Sequence, residues 1–192
     1  TVAKSSLSQG QKLMTNEDFG IIFAAGTIVY ALSFIFNGPL VDRIGGRKGM
    51  IIAATGSMAA NLAMGLYLHH VLTAQVGADA PLRLVFSLLY AANMYFQSYA
   101  AVSIVKVNAH WFHVNERGGF SGIFGTMIAS GIFLAFTVNG WLLDLAASIW
   151  KGQPSTWIVF IVPALLLGIF AVIEFIFLRD KPSDAGQADF DT

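Results

Sequence analysis

Residues Trp157–Leu178 read WIVFIVPALLLGIFAVIEFIFL, a stretch whose one ionisable side chain is Glu174. A helix needs about 20 such residues to cross ~30 Å of hydrocarbon at ~1.5 Å per residue. Four further runs of the same character precede it, Phe19–Val41, Gly49–Leu68, Leu84–Val105 and Phe120–Leu143, each separated from the next by a short polar loop. Buried core helices of a soluble protein are the alternative for any one run. Five together would leave too little polar surface to cover a soluble domain. Composition agrees: 56% of the 192 residues are hydrophobic and 11% charged, against roughly a quarter charged in a soluble domain. The chain therefore reads as an all-α, polytopic membrane protein with five transmembrane helices.

Eleven Lys and Arg balance eleven Asp and Glu, and there is no cysteine. No net field favours nucleic acid, and disulfides, thiolate metal sites and cysteine nucleophiles are excluded. Residues 1–18 are polar and resemble no signal peptide, and the chain lacks an initial Met, so it is expected to be an internal piece of a longer protein. Arg43, Arg47, Lys48, Lys106, Arg117, Arg179 and Lys181 fall on one side of the spans; Lys4, Lys12, Arg83 and Lys151 fall on the other. The excess places the first side in the cytoplasm. Residues 1–18 become a non-cytoplasmic loop, 19–180 the transmembrane bundle, and 181–192 the start of a cytoplasmic linker. Trp111, Trp141, Trp150 and Trp157 lie near run ends, where an indole is half apolar and half wet.

The densest local signal is Gly38-Pro39-Leu40-Val41-Asp42-Arg43-Ile44-Gly45-Gly46-Arg47-Lys48, read as a short loop between two spans. Topology alone would need only the cations. Asp42 adds nothing to that rule, and paired glycines permit a backbone reversal. A carboxylate at a helix end among several cations can form a network whose partners change when two bundles rock apart, a conformational latch.

This loop resembles the signature between the second and third helices of the major facilitator superfamily, at Gly38, Asp42, Arg43, Gly45, Arg47 and Lys48. Gly46 is an insertion relative to the usual pattern. The resemblance implies that the five runs are helices two to six of an N-terminal six-helix bundle, with the first helix and the C-terminal bundle lying outside this chain. Asn93-Met94-Tyr95-Phe96-Gln97-Ser98, Lys106, and the run from His110 to Gly119 resemble the fourth helix and following loop of the organophosphate:inorganic phosphate antiporters. Arg179-Asp180-Lys181-Pro182-Ser183-Asp184-Ala185-Gly186 is similar to that group's exit from helix six. Members that bind glycerol phosphate have a lysine where this chain has Phe34, four residues after Tyr30, and a histidine where it has Ile128. Glycerol phosphate itself is therefore not the expected substrate.

Within the spans, Tyr95, Tyr99 and Lys106 fall on one helical stripe, and Asn93 and Gln97 lie one turn apart beside it. They either line a water-filled substrate path or bond between helices; Lys106 can alternatively snorkel to the cytoplasmic surface. Gly118, Gly122, Gly125 and Ala129 form one small-residue stripe and Ala53, Gly56, Ala60 and Ala63 another, both read as helix packing. His110 with His113, and His69 with His70, lack further ligands for a metal. Glu174 and Asp144, near opposite boundaries, read as interfacial charges, with a proton site the other reading of Glu174. No nucleophile elbow, phosphate-cradling loop or zinc-protease motif occurs.

The expectation is a non-enzymatic secondary transporter of the inner membrane, without cofactor or metal. It would exchange a small organic phosphate for inorganic phosphate by rocking two bundles about a midplane site. Gating is assigned to Gly38, Asp42, Arg43, Arg47, Lys48 and Arg117, and the path to Tyr30, Asn93, Tyr95, Gln97 and Lys106. A sugar-phosphate sensor of the same family and a facilitator of another solute class are the alternatives.

Overall fold

Thr15 starts the first helix: its hydroxyl accepts the Asp18 N–H at 3.1 Å while the Asp18 carboxylate accepts the Thr15 N–H at 2.9 Å. This reciprocal cap satisfies two backbone donors that a helix start leaves bare. In the computed structural model, which describes residues 14–74, 81–113, 115–150 and 155–189, five long helices follow one another. They are α1 Asn16–Ile44, α2 Gly46–Thr73, α3 Leu82–Trp111, α4 Arg117–Ile149 and α5 Ile158–Phe177, with a 3-10 turn at Pro182–Ala185. No strand occurs among the described residues. Lys4, Lys12 and Lys151 lie outside them.

Each of the first four helices outruns its apolar stretch at both ends. The hydrocarbon sets the length of the greasy run, whereas backbone hydrogen bonding continues into the polar turns beyond it. The largest correction concerns the loop expected over 38–48. Helix α1 runs through Pro39 to Ile44, and the whole connection is Gly45, at φ 95° and ψ 154°. Proline removes one N–H, which a helix otherwise held by its neighbours survives. Gly46 already belongs to α2.

α3 is the central helix, packed along α1 on one side and α2 on the other, and α5 packs on α2. Ile22, Met64, Leu68, Val71, Leu82 and Phe86 form the core toward one end; Val41, Ala53 and Tyr99 form it toward the other. Glycines permit these approaches. A side chain at Gly56 would overlap the Phe96 ring, and one at Gly26 the Tyr90 ring. The Ala53–Gly56–Ala60 stripe thus packs as expected. The α4 stripe does not: nothing lies within 4 Å of a Cβ built on Gly118, Gly122 or Gly125, because α4 meets the other helices mainly at α5.

The outer surface is apolar, with Phe36, Phe133, Phe136 and Phe177 all more than two-thirds exposed. That is the inverse of a water-soluble surface and suits lipid as solvent. Helices α1, α2, α4 and α5 are each long and apolar enough to cross a membrane. α3 is as long, but buries Asn93, Ser98 and Ser103 between its neighbours. The chain is a multi-pass membrane protein.

Candidate functional site

The last carbonyls of a helix have no partner within it and concentrate the negative end of its dipole. At the end of α1 this need is met by Lys106 of α3. Its Nζ donates to the Val41 carbonyl at 3.1 Å, to the Asp42 carbonyl at 2.9 Å, and to Asp42 Oδ1 at 3.3 Å. Lys106, expected on the path or reaching the cytoplasmic surface, stands at the charged hinge. Asp42 remains exposed on its other side, its side chain 74% accessible.

Other cations repeat the arrangement. Arg117 donates to the Ala109 and Phe112 carbonyls at 2.6 and 3.2 Å, closing the end of α3. Arg47 donates to the Phe175 carbonyl at 2.6 Å and lies over the Phe175 ring, closing the end of α5. Arg179 serves the Ile176 and Leu178 carbonyls. Arg43 and Lys48 are exposed, and Gly38 has open space where a side chain would project.

Sequence reasoning assigned no role to Asp180. Its Oδ1 accepts the Arg47 N–H at 2.7 Å, capping the start of α2 from the far end of the chain. The carboxylate also occupies the space a side chain on Gly45 would need, 2.8 Å from that Cβ. Trp111 Nε1 donates to the Arg179 carbonyl at 3.0 Å, tying α3 to the same point. Beyond it, Asp189 accepts the Ser183 N–H at 2.8 Å; that bond, with the nearby Lys181 and His110 charges, holds its carboxyl below the ordinary aspartate range.

Deeper between α1 and α3 lies a polar seam. Asn37, 1% exposed, donates through Nδ2 to Ser98 Oγ at 2.6 Å, and Ser98 Oγ donates to the Tyr95 carbonyl at 2.7 Å. Asn37 was also overlooked, although an amide inside an apolar run is itself a signal. On α3 the phenols of Tyr95 and Tyr99 are 3.1 Å apart, and Gln97 Nε2 donates to Asn93 Oδ1 at 2.9 Å. Asn93 is buried, whereas Tyr95 and Gln97 are exposed on the helix surface. Tyr30 keeps to its own helix, edge-on to Phe34 at 4.9 Å. Ile128 is exposed on α4.

The remaining candidates lie apart from the hinge and the seam or only border them. His110 Nδ1 lies 2.8 Å from the Lys106 carbonyl, and His69 packs edge-on to Trp157. One carboxylate oxygen of Glu174 is buried without a partner. Among the described residues no three His, Asp or Glu converge as a metal would require.

Comparison with known proteins matches residues 4–192 to the Major Facilitator Superfamily. The chain is 28% identical to the probable nitrate/nitrite transporter NarK2 of Mycobacterium tuberculosis over 92% of its own length and 40% of the relative's. It is 25% identical to the glycerol-3-phosphate transporter of Bacillus subtilis over 88% of its length and 34% of the relative's. It is 26% identical to the mouse (Mus musculus) glucose-6-phosphate exchanger SLC37A2 over 88% and 30%. The chain thus spans less than half the length of these relatives, and no solved structure matches it significantly. With its helical membrane bundle and charged α1–α2 hinge, the chain belongs to the Major Facilitator Superfamily.

Proposed function

We propose that the complete protein is a secondary transporter of the inner membrane that exchanges an organic phosphate for inorganic phosphate by alternating access. The observation carrying this reading is the hinge. Lys106 ties the exposed carboxylate of Asp42 and the end of α1 to α3, the helix that bears Asn93, Tyr95 and Gln97. Movement of α1 is thereby coupled to the helix that carries these polar residues. Asp42, Arg43, Arg47 and Lys48, with Arg117, act as the latch that biases which side is open. Tyr30, Asn93, Tyr95 and Gln97 contribute neutral donors and acceptors to the path. No cofactor is required, since the solute moving downhill supplies the drive.

The glycerol-3-phosphate and glucose-6-phosphate relatives support a phosphorylated solute. A second reading is a smaller oxoanion. It is favoured by the nitrate/nitrite relative and by apolar Phe34 and Ile128 at positions where the resemblance implies a lysine and a histidine in glycerol phosphate binders.

The test uses the full-length protein in liposomes loaded with unlabelled phosphate. Entry of labelled phosphate that depends on the internal phosphate supports exchange, and a sugar phosphate should compete. Uptake of nitrate into phosphate-free liposomes would favour the oxoanion reading. Ligand binding with no flux would indicate a sensor. Asp42→Ala should slow exchange with little loss of expression; unchanged exchange would reject the latch.

A further inference from the structure

Among the described residues three polar side-chain links join α1 to α3. Asp18 pairs with Arg83 at 3.6 Å near the start of both helices, and Lys106 bonds Asp42 at the hinge. The third is Asn37, five positions before Asp42 and almost wholly buried. Ser33, one turn further in, spends its hydroxyl on the Val29 carbonyl of its own helix at 2.6 Å and links nothing. Asn37 instead reaches across to Ser98 Oγ at 2.6 Å and faces the Tyr95 carbonyl at 3.5 Å. These groups belong to the same turn of α3 that presents Tyr95 and Gln97 outward.

The amide is an awkward choice for holding two helices together. Its Oδ1 is buried without a donor, and an orphan acceptor away from water is unfavourable. Its partners do not depend on it, since Ser98 Oγ donates to the Tyr95 carbonyl within α3 in any case. Replacing Asn37 by leucine, of similar length and wholly apolar, would remove the orphan and strand no other group. On stability alone leucine is the better residue. The amide therefore suits register more than cohesion: a directional bond fixes the rotation and height of α3 against α1, which apolar contact does not.

We propose that Asn37 is a positioning residue for the substrate path. It holds the Asn93–Gln97 turn of α3 in register with the hinge helix, so that exposed Gln97, bonded to Asn93, meets a bound anion at one fixed place; Tyr95, two positions away, leaves the helix on nearly the opposite side. The path role of Gln97 rests on the transport reading above; the register role of Asn37 does not.

Asn37→Leu and Ser98→Ala in the full-length protein test this. In phosphate-loaded liposomes each should raise the KM for labelled phosphate about three- to tenfold, the range that one or two interhelical bonds span. The double variant should do no worse than either alone. The detergent-solubilised melting temperature of Asn37→Leu should hold or rise. These 192 residues contain no cysteine, so in a full-length background freed of cysteine elsewhere Gln97→Cys reports separately. Its labelling by a membrane-impermeant thiol reagent should change at least threefold when Asn37→Leu is added. A fall in melting temperature with KM and labelling unmoved would make Asn37 merely structural and overturn the proposal. Should the wild type show no phosphate flux, the transport reading fails, while the labelling comparison still decides the role of Asn37.

Discussion

Gly45 is the residue on which the hinge turns. At φ 95° and ψ 154° its backbone occupies a region essentially closed to residues with a Cβ, and the Asp180 carboxylate fills the space where that Cβ would stand. Gly45→Ala should therefore cost about 1–3 kcal/mol, read as a lower melting temperature in detergent. Asp180→Ala should remove the cap on α2 at about 0.5–2 kcal/mol, whereas Asp180→Asn keeps an acceptor and should lose less. Equal losses in the two Asp180 variants would mean that charge, not the bond to the Arg47 N–H, is what matters. The paired glycines were legible as a reversal, but the carboxylate that explains them was not. Asp180 is 133 positions from the amide it caps, and no local spacing rule reaches that far. Lys106 shows a related limit. Helical angle tells which stripe a side chain leaves from, while its flexible stem let it reach the carbonyls of another helix.

At the scale of elements, apolar run length gave the number and order of helices, because both follow from bilayer thickness. It could not give where α1 ends, since a helix stops where hydrogen bonding stops, and Pro39 did not stop it. Small-residue stripes were legible as candidates for close packing, without their partners. Gly56 lies against Phe96, and a methyl there collides with the ring. Gly56→Ala should accordingly overpack the α2–α3 interface by about 1–3 kcal/mol. Phe96→Leu should restore part of that loss in the double variant, since the two positions touch and their effects are not additive. A melting temperature for Gly56→Ala equal to wild type would mean that α2 and α3 do not approach as closely as described. The α4 stripe follows the same spacing and meets nothing within reach, which shows that spacing licenses contact without specifying it.

For the whole molecule, orientation is the claim that joins sequence count to structure. Seven of the eleven Lys and Arg were assigned to the cytoplasmic side. Lys106, Arg47, Arg117 and Arg179 among them bond to terminal carbonyls of α1, α3 and α5. Those helices all end on one side, so the cations gather where the negative ends of the dipoles gather. Part of the bias that reads as topology is thus also helix capping, and the count alone overstates how many charges serve orientation. Lys48 and Arg83 are the informative pair. Lys48 is exposed at the hinge, and Arg83 is exposed at the start of α3, 3.6 Å from Asp18 near the start of α1. Single cysteines at these positions in the full-length protein, probed with an impermeant thiol reagent, should label on opposite faces. Lys48→Cys should react in inside-out vesicles and Arg83→Cys in right-side-out vesicles. Labelling of both from one face would break the five-span arrangement. Opposite faces in the reverse sense would keep the bundle but turn it over, putting the Asp42 hinge outside, where a latch facing the cytoplasm could not operate.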